Sequence, residues 1–276
     1  MYSTKKFLFH HIPAVLYGDS SENLFLYIHG KMGSKEEAAH LAEIVYPMGY
    51  QVLSIDLPGH GERTGEMKRF VPWEVVPELQ AVYANTQKRW KKISLYANSI
   101  GAYFSLLALR DAKLEKSLVV SPVLDMEKLI RDMMGWAGVT QEQLKEAGEI
   151  PTAFGETLSW SYLTYAAEHR ITEWDSPTAI LYAGQDHLTA RETVDNFAQR
   201  FGCTAMVMEN EQTKWSGLSR GRLCRNCRLF TLIPRRAGRK SASMQTASAR
   251  ISVCWRSGRP SWKRASLCRP FWIWKN

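Results

Sequence analysis

No histidine follows His187 in this 276-residue chain, and no acidic residue follows Glu211. The first absence removes the commonest general base from everything beyond that point. The second leaves the lysines and arginines of the chain's end without local counter-charge. No run approaches the ~18 apolar residues of a membrane-spanning helix, so no such helix is expected. Met1 to Phe9 is followed by His10, His11 and Pro13 before any long apolar stretch, so the start lacks the core of a signal peptide. Cysteine is scarce, with five residues, and these read as free thiols of a cytoplasmic protein. No repeat of solenoid length is present.

What is present divides into two compositions. Residues 1–210 hold 20 Lys+Arg against 26 Asp+Glu, whereas residues 211–276 hold 16 against one. The overall charge of +9 therefore belongs to the end of the chain alone. That end also holds five of the ten tryptophans and four of the five cysteines.

The first composition alternates short apolar runs with helix-period segments, the pattern of a mainly parallel sheet flanked by helices. Strands are expected at 24–28, 51–55, 93–96, 117–120, 178–182 and 204–208. Helices are expected at 35–46, with Ser34 as N-cap, and at 72–88, 100–110 and 190–201. After Pro122 the rhythm breaks into helical patterns at 126–136, 141–147 and 158–169 without an evident strand. The expected organisation is a first core part at 1–121, a helical cap at 122–175, a second core part at 176–210 and an atypical basic tail at 211–276.

Ala97-Asn98-Ser99-Ile100-Gly101 lies between a strand and a helix. A serine on such a turn needs small neighbours where the backbone folds back, and Ala97 and Gly101 supply them. The following helix directs its free N–H groups at the site, favouring negative charge there. Alone, the pattern could be a helix cap and a packing glycine. It is joined by His29-Gly30 at the end of an earlier strand and by Asp56-Leu57-Pro58-Gly59-His60-Gly61 after the next. These three motifs, in this order, resemble the oxyanion loop, the D-x-x-G-x-G turn and the nucleophile elbow of the α/β-hydrolases, over about residues 20 to 210. The resemblance is to the small esterase, acylglycerol lipase and serine-aminopeptidase-like branch. It implies an α/β-hydrolase fold, Ser99 as nucleophile, and an oxyanion hole from the backbone N–H groups of Lys31 and Ile100. His29 and His60 read as residues that order their own loops.

A serine nucleophile needs a base, and the base needs an acid. Asp186, in Tyr182-Ala183-Gly184-Gln185-Asp186, resembles the family's G-x-x-D turn and is the candidate acid. Asp125 competes, but also reads as the N-cap of the first cap helix. The family order puts a histidine after the acid and beyond the last strand, where this chain reads Glu209-Asn210-Glu211-Gln212-Thr213-Lys214-Trp215. His187 adjoins Asp186 too closely to serve as its base.

The basic tail has no sustained period, and its abundance of Arg, Ser, Trp and Cys is what translation out of frame from about residue 211 produces. It is expected to be disordered. A nucleic-acid arm is the competing reading of the tail, but nucleic acid is not the expected partner. Cys224-x-x-Cys227 with Cys254 and Cys268 lacks the second close pair of a zinc knuckle. The expected activity is hydrolysis of a small-molecule carboxylic ester, with an amide second, through an acyl-enzyme and without metal or organic cofactor. The alternatives are a non-catalytic binding protein on the same fold and a nucleic-acid-associated protein. The cap's Met, Leu, Trp and Tyr either roof an apolar acyl pocket or pack the cap onto the sheet.

Overall fold

Apolar runs such as Leu24 to Ile28 are buried along their whole length, as strands covered on both faces must be. A computed structural model describes residues 2–212. The expectations for the basic tail, namely disorder, an out-of-frame origin, nucleic-acid contact and the cysteine set, lie outside the described residues. Only Glu211 and Gln212 of that segment fall inside, ending the last strand.

The strands are β1 (Thr4–Phe9), β2 (Ile12–Tyr17), β3 (Asn23–Ile28), β4 (Tyr50–Ile55), β5 (Lys92–Asn98), β6 (Ser117–Val120), β7 (Glu149–Pro151), β8 (Thr157–Ser159), β9 (Thr178–Gln185) and β10 (Thr204–Gln212). The α-helices are α1 (Ala38–Val45), α2 (Pro72–Thr86), α3 (Ile100–Ala108), α4 (Met126–Ala137), α5 (Gln141–Ala147), α6 (Trp160–Glu168) and α7 (Arg191–Phe201). One eight-stranded sheet has the order β1-β2-β4-β3-β5-β6-β9-β10. It is parallel from β4 to β10, while β2 joins β4 and β1 joins β2 antiparallel. The expected mainly parallel sheet flanked by helices is therefore the observed one.

Each sheet face has its own core. On one, Phe25, Tyr27 and Val52 pack with Leu41, Ala42 and Val45 of α1. On the other, Leu24, Leu26, Ile28 and Leu95 pack with Val75 and Leu79 of α2 and Phe104 of α3. Each such side chain contributes about 1.5–3 kcal/mol on burial, which fixes the register that the site depends on.

The structure differs from the sequence expectation in three places. The hairpin of β1 and β2 extends the sheet before the first expected strand. A second hairpin, β7 with β8, stands within the segment between β6 and β9 that was expected to be purely helical. The helix expected from Lys35 opens as a 3-10 turn at Lys35–Glu37, with α1 starting at Ala38. Ser34 has the extended backbone of an N-cap but makes no side-chain capping bond. Asp56 Oδ1 accepts the Lys35 N–H instead, at 2.8 Å. Among the described residues, no helix is long and apolar enough to cross a membrane.

β3 and β5 are neighbours, and the chain leaves β3 toward β4 on one side and β5 toward β6 on the other. Such a switch point opens a crevice at the carboxyl ends of the two strands. Here those ends carry His29-Gly30 and Ser99.

Candidate active site

Ser99 has φ 51° and ψ −122°, a conformation that costs a non-glycine residue of order 1–3 kcal/mol and persists only where its surroundings enforce it. They do so through the backbone. The Ser99 N–H donates to the Val120 carbonyl at 2.9 Å, and its carbonyl accepts from Ala102 N–H at 3.0 Å and Val123 N–H at 3.2 Å. The strand-to-helix turn is thus pinned to β6, to α3 and to the chain leaving β6.

Glycine at 101 is required by contact. A Cβ there would lie 2.2 Å from the His29 carbonyl oxygen, so α3 packs directly on the loop after β3. A Cβ on Gly30 would lie 3.1 Å from Ser99 Cβ, which places that loop against the serine. The loop turns at once, Gly33 N–H donating to the Gly30 carbonyl at 3.1 Å, with Met32 at φ 65°. Lys31 sits inside this turn, and its Nζ donates to Glu156 Oε2 at 2.6 Å. Glu156 belongs to the turn between β7 and β8, so an ion pair ties the loop to that turn. Ile100 opens α3, with the helix's positive end beside Ser99.

Asp186 follows β9, at the same sheet edge as Ser99 and separated from β5 only by β6. Two strand spacings amount to about 10 Å. Its Oδ1 accepts the N–H groups of Leu188 at 2.8 Å and Thr189 at 3.2 Å. Thr189 Oγ1 in turn donates to the Pro122 carbonyl at 3.0 Å, beside the Val123 that bonds Ser99. A continuous hydrogen-bonded path therefore links the two residues. Asp125 is the N-cap of α4, accepting Lys128 N–H at 2.9 Å, and so has the structural task the sequence suggested.

His29 is fully buried, with Nε2 accepting the Leu57 N–H at 3.0 Å and Nδ1 2.7 Å from the Gly30 carbonyl. Only the neutral ring protonated at Nδ1 satisfies both contacts. Burial lowers its pKa to about 4. Its ring stands 5.2 Å from that of His60, whose Nδ1 is 2.8 Å from the Pro58 carbonyl. Both histidines hold loops. His169 stacks on Tyr165 at 3.9 Å, and His187 is exposed beside Asp186. Among the described residues, no histidine is hydrogen-bonded to Ser99. Nor is any group of three or more His, Cys, Asp or Glu placed there to hold a metal.

The neutrality of His29 has a pH consequence. Its folded pKa lies below the unfolded value of 6.5, so the unfolded chain binds the proton more readily. Stability is intact above pH ~6.5 and falls by about 3 kcal/mol as pH drops to about 4. Urea melts at pH 7 and 4.5 should show the fall, and His29→Gln should flatten it whatever its starting stability; an unchanged acid slope in the variant would contradict this assignment.

The family model described as serine aminopeptidase, S33, matches residues 19–159. The chain belongs to that family. It is therefore a member of a hydrolase family with the α/β-hydrolase fold, and the S33 match spans both the loop after β3 and the Ser99 turn. Solved structures share the fold at low identity. Est1E from Butyrivibrio proteoclasticus, solved with ferulic acid bound, has a TM-score of 0.62 at 19% identity, covering 76% of this chain and 90% of its own. A putative hydrolase from Agrobacterium vitis S4 gives 0.64 at 15%, covering 78% and 93%. Mouse alpha/beta hydrolase domain-containing protein 10 gives 0.63 at 13%, covering 77% and 91%. Among curated proteins, none matches the chain by sequence.

Two features of this S33 member carry no sequence signal. The Lys31–Glu156 pair joins residues 125 positions apart. The buried amine of Lys35 is held by Asp56 at 2.7 Å and Glu62 at 2.6 Å, and only the folded turn brings these together.

Proposed function

We propose that the chain is built to hydrolyse carboxylic esters of small molecules through an acyl-enzyme on Ser99. The observation that carries this reading is the strained Ser99 turn pressed against Gly30, with the N-terminus of α3 beside it. Ser99 Oγ attacks the ester carbonyl and yields its proton to water, and the leaving alkoxide takes a proton back from water to depart as the alcohol. Water then attacks the acyl-serine, releasing the acid and restoring the hydroxyl. The Lys31 and Ile100 backbone N–H groups stabilise the oxyanion, and Asp186 is the acid of the triad. Residues 122–175 form the cap over this site, with core parts at 1–121 and 176–210, and the Lys31–Glu156 pair fastens the cap to the oxyanion loop. The ester class accords with the ferulic acid bound to Est1E, and the cytoplasm is the proposed location.

The base is what the chain as written does not supply in the family's order. Removing the histidine of a triad costs several powers of ten in rate, leaving the contribution of oxyanion hole and binding. A fluorophosphonate incubated with the full chain should leave its adduct on Ser99, slowly, as mapped by mass spectrometry, and Ser99→Ala should remove it. A folded protein with no adduct on Ser99 would instead favour a hydrolase-fold binding protein, the reading supported by the absence of a histidine bonded to Ser99 among the described residues.

A further inference from the structure

Two tyrosine hydroxyls between the core and the segment from β6 to β9 are buried, and neither has a hydrogen-bond partner among the described residues. One belongs to Tyr103, four residues along α3 from Ser99 and so about 6 Å away by helical rise. Its side chain is 2% exposed. The other belongs to Tyr162 of α6. A phenol hydroxyl taken from water normally finds a partner when buried. Tyr162 lies near enough to Tyr103 to feel its charge, so the two hydroxyls leave the same kind of demand within reach of each other, the first four residues from Ser99.

Their surroundings are aromatic. Trp73 of α2 meets Tyr162 edge-on at 6.0 Å and Tyr165 at 5.6 Å, and Tyr103 lies 5.8 Å from Phe104. Burial, with the neighbouring tyrosines, raises the pKa of both phenols, so they stay neutral and able to donate. Aromatic faces beside two neutral O–H donors suit an aromatic ring that carries a hydrogen-bonding substituent, and offer a plain alkyl chain nothing for those groups.

We propose that Tyr103 and Tyr162 are specificity-determining residues that clasp an oxygen substituent on an aromatic acyl group, making hydroxylated aryl esters the substrate class. This rests on the proposed reaction at Ser99, and it names what that site selects. Unpaired polar groups discriminate strongly, because the ligand lacking its partner leaves them buried and unbonded.

Binding separates this inference from catalysis. The full chain is titrated with 3-(4-hydroxyphenyl)propanamide and with 3-phenylpropanamide, following tryptophan fluorescence and heat. The hydroxylated amide should bind about 10-fold tighter or more. Tyr103→Phe and Tyr162→Phe should each erase most of that preference. Both variants should also melt no lower than the parent, because each removes a buried hydroxyl that has no partner. Equal binding of the two amides, binding of neither, or a preference that survives in both variants overturns the proposal, as does a clear loss of Tm in both, which would mean the hydroxyls serve the fold. A preference that persists in a chain whose Ser99 takes no fluorophosphonate supports the clasp while the catalytic reading fails.

Discussion

Asp56→Ala is expected to destabilise the protein by about 3 kcal/mol, the lower end of what breaking a buried ion pair costs. Asp56 is fully buried and acts through both oxygens. Oδ1 accepts the Lys35 N–H at 2.8 Å, and Oδ2 accepts Lys35 Nζ at 2.7 Å and Glu62 N–H at 3.0 Å. Alanine leaves two backbone donors without their acceptor and an ammonium, 1% exposed, without its buried partner. The loss stays near the lower end because Glu62 at 2.6 Å and Glu36 at 3.2 Å still face the amine. Burial pushes the Lys35 pKa down, but the hydrogen bonds to Asp56 and Glu62 outweigh it, and the net shift is upward. Glu62 is 60% exposed, so Glu62→Gln should cost under about 1 kcal/mol. Adding Lys35→Met to Asp56→Ala should recover part of the loss by removing the stranded charge, a coupling that urea denaturation of the double-mutant cycle reads directly. Additive losses would contradict the buried-pair account. The effect reaches the site because Leu57, next to Asp56, donates the N–H that His29 Nε2 accepts.

Gly101→Val is expected to damage stability and acylation together. Its Cβ would stand 2.2 Å from a backbone oxygen, which no rotamer change relieves. Either α3 or the loop at His29 must withdraw, at a cost of about 3 kcal/mol for overpacking a dense site. The same withdrawal separates Ile100 from Lys31, the two proposed oxyanion donors, and a displacement near 1 Å can cost about 100-fold in rate. Fluorophosphonate labelling of Ser99 should fall by that order in whatever fraction remains folded. A variant that labels at the parent rate would show that the close approach of α3 and the loop does not matter to the chemistry.

The strand-to-helix turn at Ser99 was legible because its demands are steric and local: a tight turn needs small residues on either side of Ser99, and the sequence writes them at Ala97 and Gly101. The parallel strands were legible because burial on both faces requires unbroken apolar runs. β2 was not, since Ile12–Tyr17 contains Pro13, which argues against a central strand. Pro13 is accommodated with its carbonyl accepting the Asp56 N–H at 3.0 Å. β1 is largely exposed and mixed in character, and β7 and β8 are three residues each, too short for any period to show. Lys35 illustrates a deeper limit. A lysine at a helix start reads as solvated, and only the carboxylates brought in by the Asp56–Glu62 turn make its burial tolerable. Asp186 was singled out by motif alone; in the structure it follows β9 and is joined to Ser99 through Thr189, Pro122 and Val123.

The central proposal is that Ser99 is a prepared nucleophile with no histidine bonded to it among the described residues, and exogenous imidazole tests it most directly. Hydrolysis of a p-nitrophenyl ester is followed against imidazole concentration for the full chain and for Ser99→Ala, with the variant reporting the imidazole background. The account predicts that imidazole raises the Ser99-dependent rate by about 10-fold or more, since a mobile base can partly replace the missing one. Coincident curves for the two proteins would contradict it.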